Sequence, residues 1–353
     1  MKKIGLTNYI SPKILEKEKK YFSKNSWFLI CHKSELKNFN DYKTIEIFEI
    51  PIIIYNFKGE FKAFVNVCPH RGSKIKIEKR ANSIFSCVYH GWCFNKLGKF
   101  ISAPYQKQAF NNLQFKNVKI KELKISFCGE FIFLSLSNNI KSLSSYLGEK
   151  FEILEKLSNN FNQLIYSKNY IWNCNWKIAV ENAIDEYHGP ILHKDTFKRV
   201  LDLKPEYSLN NMVLSMNTPL AKNYLNSFLK MKKLFNEKGL NNNYTHHLIY
   251  PMSTVATTMG IFNFIQTYTP ITESLTNITT DIFIRESLGN ESKNHVLINY
   301  LVNSSKEFND KVFGEDKEVC EDMFKNMKKN FFYYNLGKFE SRIKYFRELV
   351  KKF

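Results

Sequence analysis

Four residues close together in the sequence carry the plainest chemistry: Cys68 and His70, then Cys87 and His90, with sixteen residues between the pairs. Thiolates and imidazoles at this spacing are metal ligands, and the choice lies between zinc and an iron–sulfur cluster. A zinc site usually pairs like with like, as Cys-x2-Cys or His-x3–5-His. Here each pair is mixed. That suits a two-iron cluster in which one iron takes both thiolates and the other both imidazoles, so that each loop grips both metals. Gly72 and Gly91 follow directly and let backbone N–H groups approach the bridging sulfides. A Cys2His2 zinc site or coincidentally buried cysteines remain the alternative readings.

A second set lies downstream. Glu181, Asp185 and His188 line up at i, i+4 and i+7 beside the apolar face of a helix expected over Trp176–His188. Gly189-Pro190 is expected to break that helix, so that His193 can turn back towards His188. Two histidines and one carboxylate on a single face make the centre of a non-haem Fe(II) oxygenase, with other positions left open for O2 and substrate. The missing carboxylate should be buried. Asp316 shares a helical face with Val312, Phe313, Val319, Cys320, Met323 and Met327, whereas Asp322 faces charged neighbours and Glu315 is rotated towards the polar side. Asp316 is therefore the expected third ligand. Two unrelated histidines at a helix end is the bland alternative.

These residues need two kinds of scaffold. Short strands at Thr44–Phe48, Ile52–Tyr55, Phe61–Val65 and Phe131–Leu136, with turns at Asn56–Gly59 and Asn95–Gly98, predict a small all-β unit around the Cys/His pairs. Beyond a Ser/Asn-rich stretch the pattern becomes α+β. Strands are expected over Met259–Tyr268 and Asn277–Arg285, and helices over 292–313, 315–331 and 338–353. Residues 11–24 read as a short polar helix. Segment 218–246 is poorly patterned and is expected to be a lid or an insertion. The expected division is 26–140 and 141–353, with 1–25 packing on the second domain. Cys31, Cys128, Cys174 and Cys320 lack ligand spacing and are expected to be packing or core thiols, while Cys93 lies beside the cluster loop but outside its spacing.

The chain has 353 residues with 52 Lys+Arg against 33 Asp+Glu, a net charge of +19. Only six of the cations are Arg, and the Lys are scattered, so the charge does not predict a nucleic-acid partner. It predicts a lysine-rich surface, which at most steers an acidic partner. No run approaches the ~18 apolar residues of a membrane span, and the charged N-terminus lacks a signal core. A cytoplasmic protein is expected.

With both sites in view, the chain resembles the Rieske non-haem iron oxygenases, the α subunits of aromatic ring-hydroxylating oxygenases and related demethylating monooxygenases. The resemblance rests on Asn66–Gly72, Cys87–Trp92, Gly98 and Pro104, then Asn175–Lys177, Glu181-Asn182, Asp185, Tyr187-His188, His193 and Glu315-Asp316, with Gly337, Glu340 and Phe346 at the end. Departures are the short chain, Cys93 where a hydroxyl residue is common, and a missing Gln downstream of Asp316. The resemblance implies an α+β protein: an all-β Rieske [2Fe–2S] domain plus a helix-grip-type catalytic domain with a central antiparallel sheet. It implies a cluster on Cys68, His70, Cys87 and His90 and mononuclear Fe(II) on His188, His193 and Asp316. Electrons would come ultimately from NAD(P)H through a separate reductase or ferredoxin. They would cross between subunits of a homotrimer by way of Asp185, meeting His90 of a neighbouring copy, and a β subunit is left open. Asp185 stands three residues before His188 and can accept a hydrogen bond from its ring. The implied reaction is O2-dependent hydroxylation of a small aromatic substrate. The alternatives are demethylation of a quaternary ammonium or betaine-like substrate and, outside enzymes, a Rieske electron carrier or a zinc-binding module. His246-His247, Tyr250, Phe262, Phe264 and Tyr268 are the expected distal linings.

Overall fold

The computed structural model describes residues 6–110, 115–210, 212–232, 240–286, 292–329 and 335–351. The chain forms two compact units, residues 23–143 and residues 1–22 with 144–353.

Residues 23–143 build an antiparallel sheet from short strands separated by tight turns: β1 (Phe28–His32), β2 (Asp41–Ile47), β3 (Ile50–Phe57), β4 (Glu60–Val65), β5 (Arg80–Asn82), β8 (Glu122–Cys128) and β9 (Phe131–Ser135). Its order is β1-β9-β8-β4-β3-β2-β5, and β6 (Cys93–Phe94) pairs with β7 (Phe100–Ser102) apart from it. The β-branched run Ile52-Ile53-Ile54 is fully buried, as suits a strand covered on both sides. Tyr55, Phe64, Phe85, Trp92 and Phe94 pack into one cluster that also encloses Cys68 and Cys87. Aromatic packing thus forms the floor beneath the Cys/His loops.

The other unit centres on a seven-stranded antiparallel sheet. Its strands are β10 (Gln163–Trp172), β11 (Glu206–Asn210), β12 (Val213–Pro219), β13 (Asn243–Ile249), β14 (Ser253–Thr258), β15 (Phe262–Thr272) and β16 (Leu275–Ile284), in the order β10-β16-β15-β14-β13-β12-β11. Six strands follow each other as a meander, and β10, the first in sequence, closes the far edge. Helix α1 (Pro12–Asn25) is amphipathic, not simply polar. It buries Phe22 against Trp176, at 5.7 Å between centroids, and Glu18 against Lys177 at 2.6 Å. A buried charge of this kind is tolerable only because it is paired and hydrogen-bonded, here also by Trp176 Nε1 at 2.9 Å.

Two expectations are corrected here. Helix α2 runs Trp176–Ala183 and stops before His188. Asp185 Oδ1 accepts the Tyr187 N–H at 2.8 Å, a local turn that competes with helical pairing. Pro190 then sits in the first turn of a new short helix, α3 (Gly189–Leu192), where its missing N–H costs nothing. Segment 218–246, expected as a lid or an insertion, has regular structure where it is described. It completes β12, forms helix α4 (Lys222–Lys232) and enters β13; residues 233–239 lie outside the described set. Finally, the two helices expected across 292–331 are one, α5 (Ser292–Lys328). Gly314 does not break it, since a single glycine costs a helix only ~1 kcal/mol, less than the packing on either side provides. The last helix is α6 (Ser341–Val350). No helix among the described residues is long and apolar enough to cross a membrane.

Candidate metal centres

The Cys/His loops are built alike. Gly72 N–H bonds Cys68 O at 2.9 Å, and Gly91 N–H bonds Cys87 O at 2.9 Å. Each turn closes through a left-handed glycine, φ +78° and +67°, a conformation that a side chain would strain. Gly91 is also crowded: a Cβ there would meet the Pro104 ring at 3.0 Å. The buried Asn66 braces the first loop from behind. Its Oδ1 accepts N–H bonds from Ile75 and Lys76 at 3.0 Å, and its Nδ2 donates to Lys76 O at 2.7 Å.

Both thiols are buried while both imidazoles are half-buried and reach outward. The His70 and His90 rings stand 4.7 Å apart, and His70 stacks on Trp92 at 4.5 Å. Burial pushes the Cys68 thiol up to about 11, against backbone N–H bonds from His70 and Arg71. The Cys87 thiol is lowered instead: burial raises it, but the Ser73 hydroxyl, 3.4 Å away, and the Tyr89 and His90 N–H groups outweigh that. Sulfurs ringed by N–H donors are suited to carry negative charge. His70 Nδ1 is buried without a hydrogen-bond partner. Two paired thiols, two paired imidazoles and an orphaned ring nitrogen fit a [2Fe–2S] cluster. Cys93 stays apart, its Sγ directed at Gly91 O at 3.3 Å.

The second site draws on three elements. His188 follows α2, His193 follows α3, and Asp316 sits midway along α5. His193 Nε2 lies 3.1 Å from Asp316 Oδ1 and 3.3 Å from His188 Nε2, while His188 Nε2 lies 3.4 Å from the same Asp316 oxygen. Asp316 Oδ1 is buried and has no aligned hydrogen bond. Three lone pairs meeting at one point are satisfied by a cation at ~2 Å from each. Among the described residues this is the group of ligand atoms that could hold a single ion.

Each histidine turns its other nitrogen to a carboxylate. His193 Nδ1 is 2.7 Å from Glu315 Oε2, and His188 Nδ1 is 3.2 Å from Asp185 Oδ2, within ion-pair reach but not aligned as a hydrogen bond. Such carboxylates fix the ring orientation and make the ligating nitrogen more basic. Burial lowers the His188 imidazole, but Asp185 and Asp316 reverse this and raise it to about 9; burial also lowers His193, which Asp316 and Glu315 raise instead. Asp316 itself is lowered, the two imidazoles outweighing its burial. A cation therefore displaces protons on entering.

The structure thus places Asp185, His188, His193 and Asp316 together. Glu181 lies elsewhere: Arg347 holds it at 2.9 and 2.6 Å, and Tyr9 donates to it at 2.5 Å. Sequence reasoning missed Glu315. Its polar helix face hid it, although an acid adjoining a ligand on the side from which a histidine arrives is a readable signal. It also missed the buried Arg342–Glu186 ion pair, which lines the same pocket.

The pocket at His188, His193 and Asp316 holds about 100 Å³ and adjoins a larger cavity of about 380 Å³, sharing Phe197, Tyr244, Gln266, Val312 and Phe313 as walls. Of the expected distal linings, His246 and Tyr268 line the smaller space and Phe262 and Phe264 the larger. His247 and Tyr250 instead face the core, where Ser215 meets the His247 ring at 2.8 Å and Phe22 and Phe346 pack on Tyr250. Strand alternation sends His246 and His247 to opposite faces.

Residues 26–123 match the family model for the Rieske [2Fe-2S] domain, and residues 163–353 match that for the ring hydroxylating alpha subunit (catalytic domain). The anthranilate 1,2-dioxygenase large subunit of Acinetobacter baylyi is 28% identical over 199 residues, covering 54% of this chain and 42% of that protein. The toluate 1,2-dioxygenase subunit alpha of Pseudomonas putida is 31% identical over 196 residues, 52% of this chain and 43% of its own length. The aligned region thus spans less than half of either curated relative. In three dimensions the chain is similar to the quaternary ammonium Rieske monooxygenase CntA, with TM-score 0.80, 21% identity, and 99% of this chain and 94% of that one covered.

Proposed function

The chain belongs to the ring-hydroxylating α-subunit family with a Rieske domain, and from that premise we propose that it is the oxygenase component of a multi-protein system. It takes electrons singly from a separate reductase or ferredoxin, supplied ultimately by NAD(P)H, and uses O2 to hydroxylate a small aromatic substrate. The observation that carries this reading is the meeting of His188, His193 and Asp316 at one buried point beside a largely apolar cavity, in a chain that also holds the paired Cys/His loops.

When bound, the cluster stores one electron and the mononuclear iron activates dioxygen. The residues of this chain do the rest. Glu315 and Asp185 hold the two imidazoles in place; Phe197, Phe262, Phe264 and Phe308 exclude water and wall the substrate. Asp185 reaches the iron site without ligating it and is proposed as the link between the two centres, across the subunits of a homotrimer. A cytoplasmic location belongs to the same reading.

Aromatic walls also favour a second reading, demethylation of a quaternary ammonium compound, because rings attract such cations. A betaine's carboxylate, however, meets no Lys or Arg among the described residues of the larger cavity. Purification tests the proposal. The protein should be brown, bleach with dithionite, and contain two acid-labile sulfides with the cluster irons plus one further iron. Supplied with a reductase, it should consume O2 in the presence of ring compounds, run beside methylammonium compounds. A colourless protein containing zinc would refute both readings.

A further inference from the structure

His246 lines the iron pocket from β13 with a proton arrangement that the structure fixes. Arg342 is buried, paired with Glu186, and its Nη1 lies 2.9 Å from His246 Nδ1. A guanidinium only donates, so Nδ1 must be the unprotonated, accepting nitrogen, and the ring proton belongs on Nε2. Burial keeps the ring neutral, pushing its pKa down to about 4. The Nε2–H has no hydrogen-bond partner among the described residues, and unlike the Nε2 of His247 it is not sealed in the core.

A second donor stands on the same face of the sheet. His246 pairs across to Ala256 and Ala256 to Phe264, and Gln266 follows two residues further along β15. Gln266 Oε1 already accepts the hydroxyls of Thr254 at 3.0 Å and Tyr268 at 2.9 Å. Its amide N–H groups are left for the cavities, both of which it lines. The larger cavity presents no Asp, Glu, Lys, Arg or His among its described walls. In the smaller one the charged groups are engaged with each other: Arg342 with Glu186, Asp185 with His188, and Asp316 with both histidines.

We propose that His246, locked by Arg342 as an Nε2–H donor, and Gln266 are specificity-determining residues that grip the acceptor oxygen of an uncharged aromatic substrate. The preferred substrate class is therefore a neutral arene bearing a carbonyl, ether or similar oxygen, and not a benzoate-like anion or a betaine. An anion in the larger cavity would lose its hydration and meet no Lys, Arg or His among the described walls there. Arg342 acts through His246 and is a positioning residue. This deepens the oxygenase reading and rests on it.

The test uses the purified holoenzyme without reductant and measures binding by calorimetry for acetophenone, ethylbenzene and benzoate. Acetophenone should bind about 5–10-fold more tightly than ethylbenzene, the effect of one net hydrogen bond, and benzoate should bind most weakly. H246L should lower the acetophenone-to-ethylbenzene ratio, and H246L combined with Q266L should bring it close to one. H246Q, which keeps a side-chain N–H, should restore part of it. Equal affinities in the unaltered protein, benzoate binding most tightly, or a ratio that survives H246L would each overturn the proposal. Nitrogen NMR with zinc in the mononuclear site reads the lock without mutation. It should show the His246 proton on Nε2 between pH 6 and 8, and a proton on Nδ1 would overturn the role given to Arg342. O2-dependent turnover is scored separately, so the oxygenase reading and this one fail on different measurements.

Discussion

The two proposed centres are held by opposite strategies. The Cys/His loops take all four ligands from one short stretch, and backbone geometry shapes them: matched glycine turns, an asparagine brace, N–H groups directed at sulfur. The mononuclear site gathers ligands from a helix exit, a short turn and the middle of a long helix. Side-chain carboxylates hold it, one behind each imidazole. A site made by local backbone is fixed once its loop closes, whereas a distributed site depends on packing throughout its unit.

The largest effects should separate the centres completely. Cys87→Ser should abolish the visible absorbance and the labile sulfide yet leave the iron held by His188, His193 and Asp316. Asp316→Ala should do the reverse, keeping the cluster spectrum while losing the mononuclear iron. Both should end turnover. Metal and sulfide analysis of the two variants decides the matter; unchanged iron in Asp316→Ala would mean that the third ligand is misassigned.

That contrast also explains what the sequence made legible. Both Cys/His pairs and the glycines after them were readable because spacing along the chain is spacing in space. The place of Asp316 beside His188 and His193 was readable because helical phase alone separated it from Asp322, although the helix proved to be one unbroken α5. Glu315 was not readable, since its use depends on the direction from which His193 arrives, and no periodicity encodes that. The Arg342–His246 contact joins α6 to β13 and was invisible for the same reason. The end of α2 was misplaced because the turn at Asp185 is set by a side-chain bond, not by the proline five residues later. Of the second unit's sheet, β15 and β16 were visible as patterns, while β13 lay hidden in a polar stretch.

Asp185 and Glu315 sharpen the comparison within the mononuclear site. Removing a carboxylate behind a ligating histidine typically costs 10–100-fold in metal affinity or activity. Glu315→Ala should show that loss as weaker iron binding, with activity restored by excess iron. Asp185→Ala should keep both irons and the cluster spectrum but lose turnover, as expected of a link between centres. If Asp185→Ala recovers with added iron as Glu315→Ala does, Asp185 is only a support.

The dependence of the distributed site on its unit can be tested away from any ligand. Glu181 and Arg347 form a buried pair joining α2 to α6. Glu181→Gln leaves the guanidinium buried without its counter-charge, which costs about 3–5 kcal/mol. Denaturant unfolding should show that loss for the unit of residues 1–22 and 144–353. The cluster absorbance of the folded variant should be unchanged. A parallel loss of cluster would show that the two units are not held independently.

The smallest expected effect concerns acid. His247 lies on the core side of β13, and burial, with His246 and Lys150 adding to it, pushes its imidazole down to about 3. The unfolded chain takes up a proton near pH 6.5, which the folded protein refuses until far lower. Between those values the unfolded state binds more protons, so the neutral ring's contribution is complete above about pH 6.5 and declines as the pH falls. His247→Leu removes that proton uptake together with the orphaned Nε2. The difference in thermal midpoint between H247L and the unaltered protein should therefore shift in favour of the variant on going from pH 7.5 to 5.5. A difference that stays constant would mean that the unfolding observed at pH 5.5 does not expose the His247 ring to protonation.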